Sequence, residues 1–294
     1  MNQLLSRYLT EKKQWVDEQL PLYIENIEAP QIIKESMIYS LKAGGKRIRP
    51  ILLFATLNAF GKEEENGLDV ACALEMIHTY SLIHDDLPSM DDDDLRRGKP
   101  TNHKVYGEAI AILAGDGLLT HSFKMITNSK SLSNELKVKI ISMLSYAAGP
   151  SGMVGGQVAD LLGENKDLTV EELEYIHEHK TGKLLRFAVV AGAVIAGASK
   201  EQQECLDKFA LHLGLAFQIK DDILDIEGNE EQIGKPVGSD EGKAKSTYPK
   251  LLTLEGAKEK CNDHLKQAKV WLEKANINNT LLMEIADYIV NRDH

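Results

Sequence analysis

The sequence is poor in cysteine and has no paired cysteine motif. Cys72, Cys205 and Cys261 are scattered along the chain, with no CxxC pair and no obvious histidine companion. This pattern is typical of reduced thiols in a cytosolic protein. We therefore expect the three side chains to pack in the core rather than to take part in chemistry.

The sequence also lacks a long apolar run and a linker. The longest apolar run, residues 187–198, lies between Arg186 and Lys200 and is too short to span a membrane. Residues 1–15 are amphipathic and charged, unlike a signal peptide. No Gly/Ser-rich or Pro-rich stretch divides the chain. We predict one cytoplasmic domain over residues 1–294, with no membrane span.

Positive charge is scarce relative to negative charge. The chain has 34 Lys and Arg against 45 Asp and Glu, a net charge of −11. This balance argues against nucleic acid or an anionic membrane as the main partner. An acidic protein can still bind an anion where its cations are concentrated locally. Because 43% of the 294 residues are hydrophobic, the chain can bury a large core.

Strand-like alternation of useful length is absent, and helical periodicity covers nearly the whole sequence. Pro21 is expected to mark a break or a first turn within an amphipathic N-terminal segment. Thr169, with Glu172 three residues later, predicts a capping box. These signals predict an all-α, many-helix domain.

A first acidic cluster follows the apolar helical segment 68–84. Asp85 and Asp86 come first, and Pro88 disfavours a helix that continues to Asp91. Asp91 can then fold back beside Asp85 across a short loop. We expect residues 92–94, which are also aspartates, to form a solvated polar loop.

A second acidic cluster lies in the segment FQIKDDILDIEG, residues 217–228. Asp221 and Asp225 are four residues apart, so they share one helix face; Asp222 flanks them and Gln218 lies one turn earlier. Carboxylates without His or Cys favour a hard cation, and magnesium fits because it needs only one or two protein carboxylates. The two clusters together predict two walls of one metal-filled pocket.

Cations that could bind phosphate occur in three groups. The segment GGKRIRP supplies Lys46, Arg47 and Arg49 beside two glycines, which let the backbone approach an anion. The other groups are Arg96 and Arg97, and the lysines at positions 180, 183, 235 and 245. Each cation alone is as typical of a surface charge as of a ligand. Their combination with the carboxylate pairs favours a diphosphate site.

The ordered motifs resemble those of the trans-isoprenyl diphosphate synthases, and among them the bacterial enzymes that make farnesyl diphosphate. The motifs are GGKRIRP, DDLPSMDDDDLRRGKPTNH, GGQVADL, KTG, FQIKDDILD and GKPVGSDEGKAKSTYP. The resemblance covers essentially the whole chain. It implies an isoprenoid-synthase type of fold around a central apolar cavity, and a homodimer.

The resemblance also implies a reaction and the residues that carry it. An allylic diphosphate loses pyrophosphate, isopentenyl diphosphate attacks the carbocation in a 1′–4 condensation, and a proton is removed. The implied magnesium ligands, for three ions per site, are Asp85, Asp86, Asp91, Asp221, Asp222 and Asp225. Arg96, Lys180 and Lys235 would bind the allylic diphosphate. Gly45, Lys46, Arg49, His78 and Arg97 would bind isopentenyl diphosphate. Thr181, Gln218 and the carbonyl of Lys180 would face the carbocation.

Chain length is assigned by the same resemblance. The growing tail should run beneath the first aspartates, where Tyr80, five residues before Asp85, would form the floor, with Ser81 after it. A bulky ring there is expected to stop growth at fifteen carbons. Without the resemblance, Tyr80 is equally an ordinary core aromatic and His78 a core histidine.

Several alternatives stay open at this point. A geranylgeranyl diphosphate synthase shares the four-residue spacing between Asp86 and Asp91. A terpene cyclase shares the fold type but has no need of a second diphosphate site. A non-catalytic subunit of a heteromeric synthase is expected to have lost aspartates or cations, and here all are present. A plain divalent-cation binding protein leaves the ordered cations unexplained.

Overall fold

The computed structural model describes residues 3–227 and 246–292, which are almost entirely helical. These residues divide into two compact units. The first contains the residues up to Phe54 and residues 64–141; the second contains residues 55–63 and those from Ser142 onward. The all-α prediction is confirmed. The single domain over the whole chain stays a prediction.

The first unit is built around the apolar helix that precedes the first aspartates. Its helices are α1 (Gln3–Glu25), α2 (Gln31–Leu41), the start of α3 (Ile48–Ala59), α4 (Leu68–Asp85), α5 (Asn102–Tyr106), α6 (Glu108–Asn128) and most of α7 (Asn134–Ala148). Helix α4 is buried over most of its length because it packs against α6, α1 and α2. Its apolar sequence therefore reflects a central position in this unit.

Two local expectations for the first unit need correction. Helix α1 continues through Pro21, whose ring is buried with Val16, Leu20 and Ile24, so packing of this face offsets the lost backbone hydrogen bond. A short antiparallel hairpin also forms after the acidic loop, with β1 (Leu95–Arg96) paired to β2 (Lys99–Pro100). Two-residue strands are too short to show alternation in the sequence.

The second unit carries the second acidic cluster near the end of its longest helix. Its helices after α7 are α8 (Met153–Gly163), α9 (Val170–His177), α10 (Lys183–Ala196), α11 (Lys200–Glu227), α12 (Tyr248–Lys274, interrupted at Thr253) and α13 (Thr280–Asn291). Helix α11 packs against α10 and α12. The predicted capping box is confirmed, because Thr169 and Glu172 exchange side-chain and backbone hydrogen bonds at the start of α9.

Cys72, Cys205 and Cys261 are all free and buried, as expected. Within the described residues, α6 is the one helix long and apolar enough to cross a membrane by length and composition. It packs on α4 and α2 within its unit, and 39% of its most apolar window is buried.

A half-buried histidine pair predicts acid sensitivity in the second unit. The Nδ1 atoms of His212 and His264 lie 3.0 Å apart. Burial, followed by the charges of His212 and Lys260, lowers the pKa of His264 to about 4. In the unfolded chain, His264 has an ordinary histidine pKa of about 6.5. Between that pH and about pH 4, the unfolded chain therefore binds a proton that the folded chain excludes. Stability is therefore lost as the pH falls from 6.5 towards 4.

We expect His264 to remove about 2 kcal/mol of stability between pH 7 and pH 5. Urea unfolding of wild type and His264→Asn at the two pH values measures this contribution. The variant should lose less stability on acidification than wild type. Equal losses in the two proteins would contradict the assignment.

Candidate active site

The glycine-flanked loop between α2 and α3 is folded tightly onto Arg97. Gly44 and Gly45 have φ values of +88° and +131°, which favour glycine. The Arg97 guanidinium donates to the Gly44 carbonyl, and a Cβ at Gly45 would lie 2.6 Å from its Nη1 atom. The structure thus brings Gly45 and Arg97, both predicted for isopentenyl diphosphate, into direct contact.

The three cations of this loop have different surroundings. Lys46 is exposed and Arg49 is half-buried, so both can reach a ligand. Arg47 is buried and donates hydrogen bonds to Asp17 and Glu75. The sequence indicated a cationic loop but not which of its cations points inward.

His78 lies on α4 among these cations and is uncharged. Burial, and then the positive charges of Arg49 and Arg97, hold the pKa of His78 well below its usual value. A neutral imidazole can donate or accept a hydrogen bond without adding to the positive charge of the site. This environment suits a polar contact to a diphosphate that the arginines neutralise.

The first acidic segment folds back as expected. Helix α4 ends at Asp85, and the Asp91 backbone N–H donates to the Asp85 carbonyl at 2.9 Å. The loop that contains Pro88 therefore returns the chain to the helix end. Both carboxylates are partly exposed, whereas Asp92 and Asp94 are exposed. Asp93, expected in the same solvated loop, is half-buried and lies 3.6 Å from Arg96.

Asp86 and Arg96 are paired with each other. The Arg96 Nε atom lies 2.7 and 2.9 Å from the two oxygens of Asp86, and its Nη2 atom donates to the same carboxylate. Burial raises the pKa of Asp86, and the Arg96 guanidinium opposes that rise. Asp86 was predicted as a metal ligand and Arg96 as a diphosphate ligand. In this structure each is a partner of the other.

The second acidic segment is held by residues that the sequence did not single out. Asp221 accepts a hydrogen bond from Arg292 at 2.5 Å, and that guanidinium also stacks on Phe217 at 4.1 Å. Asp222 is buried and accepts the Tyr248 backbone N–H at 2.9 Å. Asp221 and Asp225 are more exposed and share the helix face that the sequence predicted.

Lys180 and Thr181 lie in a π-helical turn, Glu178–Gly182, between α9 and α10. Single π-turns within helices are common at functional sites because they redirect side chains and carbonyls. Lys180 donates to Asp160 of α8 at 2.6 Å, and both side chains are largely buried. Thr181 is half-buried in the same turn.

Gln218 is oriented by a chain of second-unit contacts. Its amide nitrogen lies 3.2 Å from His177 Nδ1, and the His177 ring stacks on Tyr248 with centroids 5.5 Å apart. Burial lowers the pKa of His177 to about 4, so the ring is neutral near pH 7. The contacts hold the Gln218 amide at a defined position on α11, one turn before Asp222.

Gly156 of the GGQ motif permits close packing of α8 against the π-turn. A Cβ at this position would lie less than 3.0 Å from the backbone nitrogen of Lys180. We expect Gly156→Ala to destabilise the protein by about 1–3 kcal/mol through overpacking. Thermal unfolding measures the change.

Tyr80 and Ser81 lie near the end of α4. Tyr80 is 7% exposed, and Ser81 is half-buried with its hydroxyl donating to the His78 carbonyl. The Tyr80 ring meets His84 edge to face, with centroids 5.7 Å apart. The ring is thus a fixed bulky group one turn from the first aspartates.

The carboxylates fit magnesium as partial ligands. Within the described ranges, no group of three or more His, Cys, Asp or Glu side chains is arranged to hold a metal by itself. Magnesium commonly takes one or two carboxylates and completes its sphere with water and substrate phosphate oxygens. Oxygen-only donors at Asp85, Asp91 and Asp221 agree with that preference. Lys235, predicted for the allylic diphosphate, lies outside the described residues.

Comparisons with known proteins agree with the ordered motifs. A family model for polyprenyl synthetase matches residues 30–285. The farnesyl diphosphate synthase of Geobacillus stearothermophilus is 59% identical over 292 residues, covering 99% of this chain and 98% of that protein. The geranylgeranyl diphosphate synthase of Cyanophora paradoxa is 47% identical over 299 residues, covering 99% and 97%.

A solved structure agrees as well. The apo structure of an FPP/GFPP synthase from Zymomonas mobilis aligns with a TM-score of 0.84 at 35% identity. The alignment covers 97% of this chain and 98% of that one. The likeness therefore extends over nearly the whole chain.

Proposed function

This chain belongs to the polyprenyl synthetase family, and from that premise we infer that it is a short-chain trans-prenyltransferase that makes farnesyl diphosphate. It condenses isopentenyl diphosphate with dimethylallyl or geranyl diphosphate, 1′–4, and releases pyrophosphate. The observation that carries the product assignment is the 59% identity to a farnesyl enzyme, against 47% to a geranylgeranyl enzyme.

The carboxylates at the two helix ends would bind magnesium. We assign Asp85 and Asp91 from the first segment and Asp221 from the second as ligands, with Asp86, Asp222 and Asp225 beside them. Enzymes of this family depend on Mg²⁺, and we propose three ions per active site. When bound, magnesium neutralises the charge that develops on the departing pyrophosphate.

The allylic diphosphate would be held by Arg96, Lys180 and Lys235. Arg96 uses Nε and Nη2 for Asp86, and its planar guanidinium has five N–H donors, so Nη1 can still serve a phosphate oxygen. Lys180 carries a positive charge and donates to Asp160 from the π-turn. Each carboxylate partner thus orients its cation.

Isopentenyl diphosphate would bind at the glycine-flanked loop. Lys46 and Arg49 supply positive charge from the loop, and Arg97 supplies it from beside Gly45. His78 contributes a neutral hydrogen-bonding group. The second substrate thus has its own set of cations, which a terpene cyclase does not need.

The π-turn and α11 would provide oxygen dipoles for the carbocation. The Thr181 hydroxyl, the Gln218 amide oxygen and the carbonyl of Lys180 are the proposed groups. Such dipoles stabilise developing positive charge best when they are positioned in advance. Gln218 meets this condition through its contact with His177, and Thr181 through the π-turn. We assign the final proton to the departing pyrophosphate, since no side chain in the described part of the chain stands out as a base.

We further propose that the protein is a cytoplasmic homodimer. Helix α6 exposes Ile112 and Leu113 at 42% and 52%, and a second copy would cover these apolar side chains. Light scattering of the purified protein should return twice the chain mass of 32.7 kDa. A monomer mass at assay concentrations would contradict the dimer.

Product analysis tests the activity. The protein is incubated with magnesium, isopentenyl diphosphate and each allylic diphosphate in turn, and the chain length of the product is measured. We expect a farnesyl product from both dimethylallyl and geranyl diphosphate, and none with EDTA. Absence of condensation with every starter would contradict the enzyme, whereas a twenty-carbon product would contradict the farnesyl assignment alone.

A further inference from the structure

Arg47 lies at the centre of the glycine-flanked loop but cannot reach a substrate. Its side chain is 1% exposed, whereas its neighbours Lys46 and Arg49 are accessible. The roles proposed above give it no contact with either diphosphate. A guanidinium buried in the middle of a substrate-binding loop therefore requires another explanation.

The guanidinium joins the loop to three helices. Nε donates to Asp17 of α1 at 2.7 Å, Nη1 to Glu75 of α4 at 2.6 Å, and Nη2 to the Leu41 carbonyl at the end of α2 at 2.6 Å. The Glu75 side chain is 3% exposed, so the charge pair is desolvated on both sides. Removing one partner of such a pair leaves an uncompensated buried charge.

The same contacts hold the loop backbone in an uncommon conformation. Arg47 has φ +52°, a left-handed value that costs energy for a residue other than glycine. Such a conformation persists only where contacts with the surrounding residues hold it in place. Since Lys46 precedes Arg47 directly and Arg49 follows two residues later, anchoring Arg47 determines where both of them point.

Glu75 connects this anchor to the third proposed ligand group. It lies three residues before His78 on α4, so the two side chains are about one turn apart on neighbouring faces. The Arg47–Glu75 contact therefore sets the position of the loop relative to the helix segment that carries His78.

We propose that Arg47 and Glu75 form a positioning pair for isopentenyl diphosphate binding. The pair holds Lys46 and Arg49 of the loop at a defined distance from His78 of α4, and neither member contacts the substrate. This inference rests on the proposed function, in which those three residues bind isopentenyl diphosphate. Binding of the allylic diphosphate is not expected to depend on the pair.

Glu75→Gln and Arg47→Lys test the pair in steady-state assays that vary each substrate separately. Small displacements of binding groups can reduce activity by as much as about 100-fold, and we expect KM for isopentenyl diphosphate to rise about 10-fold or more. KM for geranyl diphosphate and kcat at saturation should stay within about 3-fold of wild type. Calorimetric titration with isopentenyl diphosphate alone should show the same loss without any turnover.

Glu64→Gln is the matched control. Glu64 is also a buried carboxylate of the first unit, and it is bonded to Tyr8 and Lys12 of α1 at 2.8 and 2.5 Å. The same substitution there should lower the unfolding temperature but leave KM for isopentenyl diphosphate unchanged. A merely structural role for Glu75 would instead make the two variants alike.

Two outcomes separate this inference from the function on which it rests. Wild-type protein that neither binds isopentenyl diphosphate nor forms product would overturn both. Wild-type turnover with an unchanged KM in the pair variants, or with the same change in Glu64→Gln, would overturn the positioning pair alone. Should Glu75→Gln not fold, Arg47→Lys and Asp17→Asn carry the test. Asp17 is the more exposed partner, so Asp17→Asn should raise the KM less, by about 3-fold.

Discussion

Asp85→Asn is expected to lower kcat by about 1000-fold with little change in stability. The carboxylate lies at the end of α4, partly exposed, where the returning Asp91 backbone meets the Asp85 carbonyl. The amide keeps the shape of the side chain but loses the charge that a hard cation requires. Each factor of ten in rate corresponds to about 1.4 kcal/mol, so the loss of one ligand suffices for this effect.

Asp94→Asn is the matched control for this result. Asp94 belongs to the same acidic run, but its side chain is 75% exposed and pairs with Lys104 at 2.6 Å. An exposed pair of this kind contributes little, so kcat should change by less than about 2-fold. Comparable losses in the two variants would show that the acidic run acts through its total charge. Retention of kcat by Asp85→Asn within about 3-fold would contradict its role as a ligand.

The magnesium dependence of the same variants provides a second measurement. Asp85→Asn should need a higher magnesium concentration for half-maximal activity, because fewer protein oxygens hold the ion. Asp94→Asn should follow the wild-type curve. A lower kcat with an unchanged magnesium dependence would indicate that Asp85 orients the substrate rather than binds the metal.

The local parts of this site could be predicted from the sequence because they depend on neighbouring residues. Pro88 ends the helix and allows Asp91 to return to Asp85. The spacing of Asp221 and Asp225 places both on one helix face. Gly45 has a φ of +131°, which agrees with the prediction that the two glycines let the backbone bend towards an anion.

The partners of these residues could not be predicted in the same way. Arg292 lies 71 positions after Asp221, and Glu75 lies 28 positions after Arg47. Such pairs depend on how helices pack against one another. The residues beside Arg292 or Glu75 in the sequence do not indicate which partner each will have. The inward position of Arg47 is a similar case, because α3 begins only at Ile48 and the loop before it has no helical period.

Tyr80→Ala is expected to shift the main product from fifteen to twenty or more carbons. Tyr80 is 7% exposed on α4, and its ring lies edge-on against His84. His84 is held in turn, because its Nε2 atom lies 3.0 Å from the Ile112 carbonyl of α6. At Gly115 a Cβ would lie less than 3.0 Å from the His84 ring, so α6 leaves that ring little space to move. The aromatic ring is thus a rigid obstacle, and its removal opens space that no neighbour readily fills.

Tyr80→Phe separates the size of the ring from its hydroxyl group. The variant keeps the ring, so it should still make farnesyl diphosphate. Truncation to Ala removes a buried aromatic side chain at a cost of about 3–5 kcal/mol, so both variants are assayed at a temperature where circular dichroism shows them folded. A farnesyl product from folded Tyr80→Ala would show that another residue stops chain growth. Longer products from both variants would instead assign the limit to the hydroxyl rather than to the bulk of the ring.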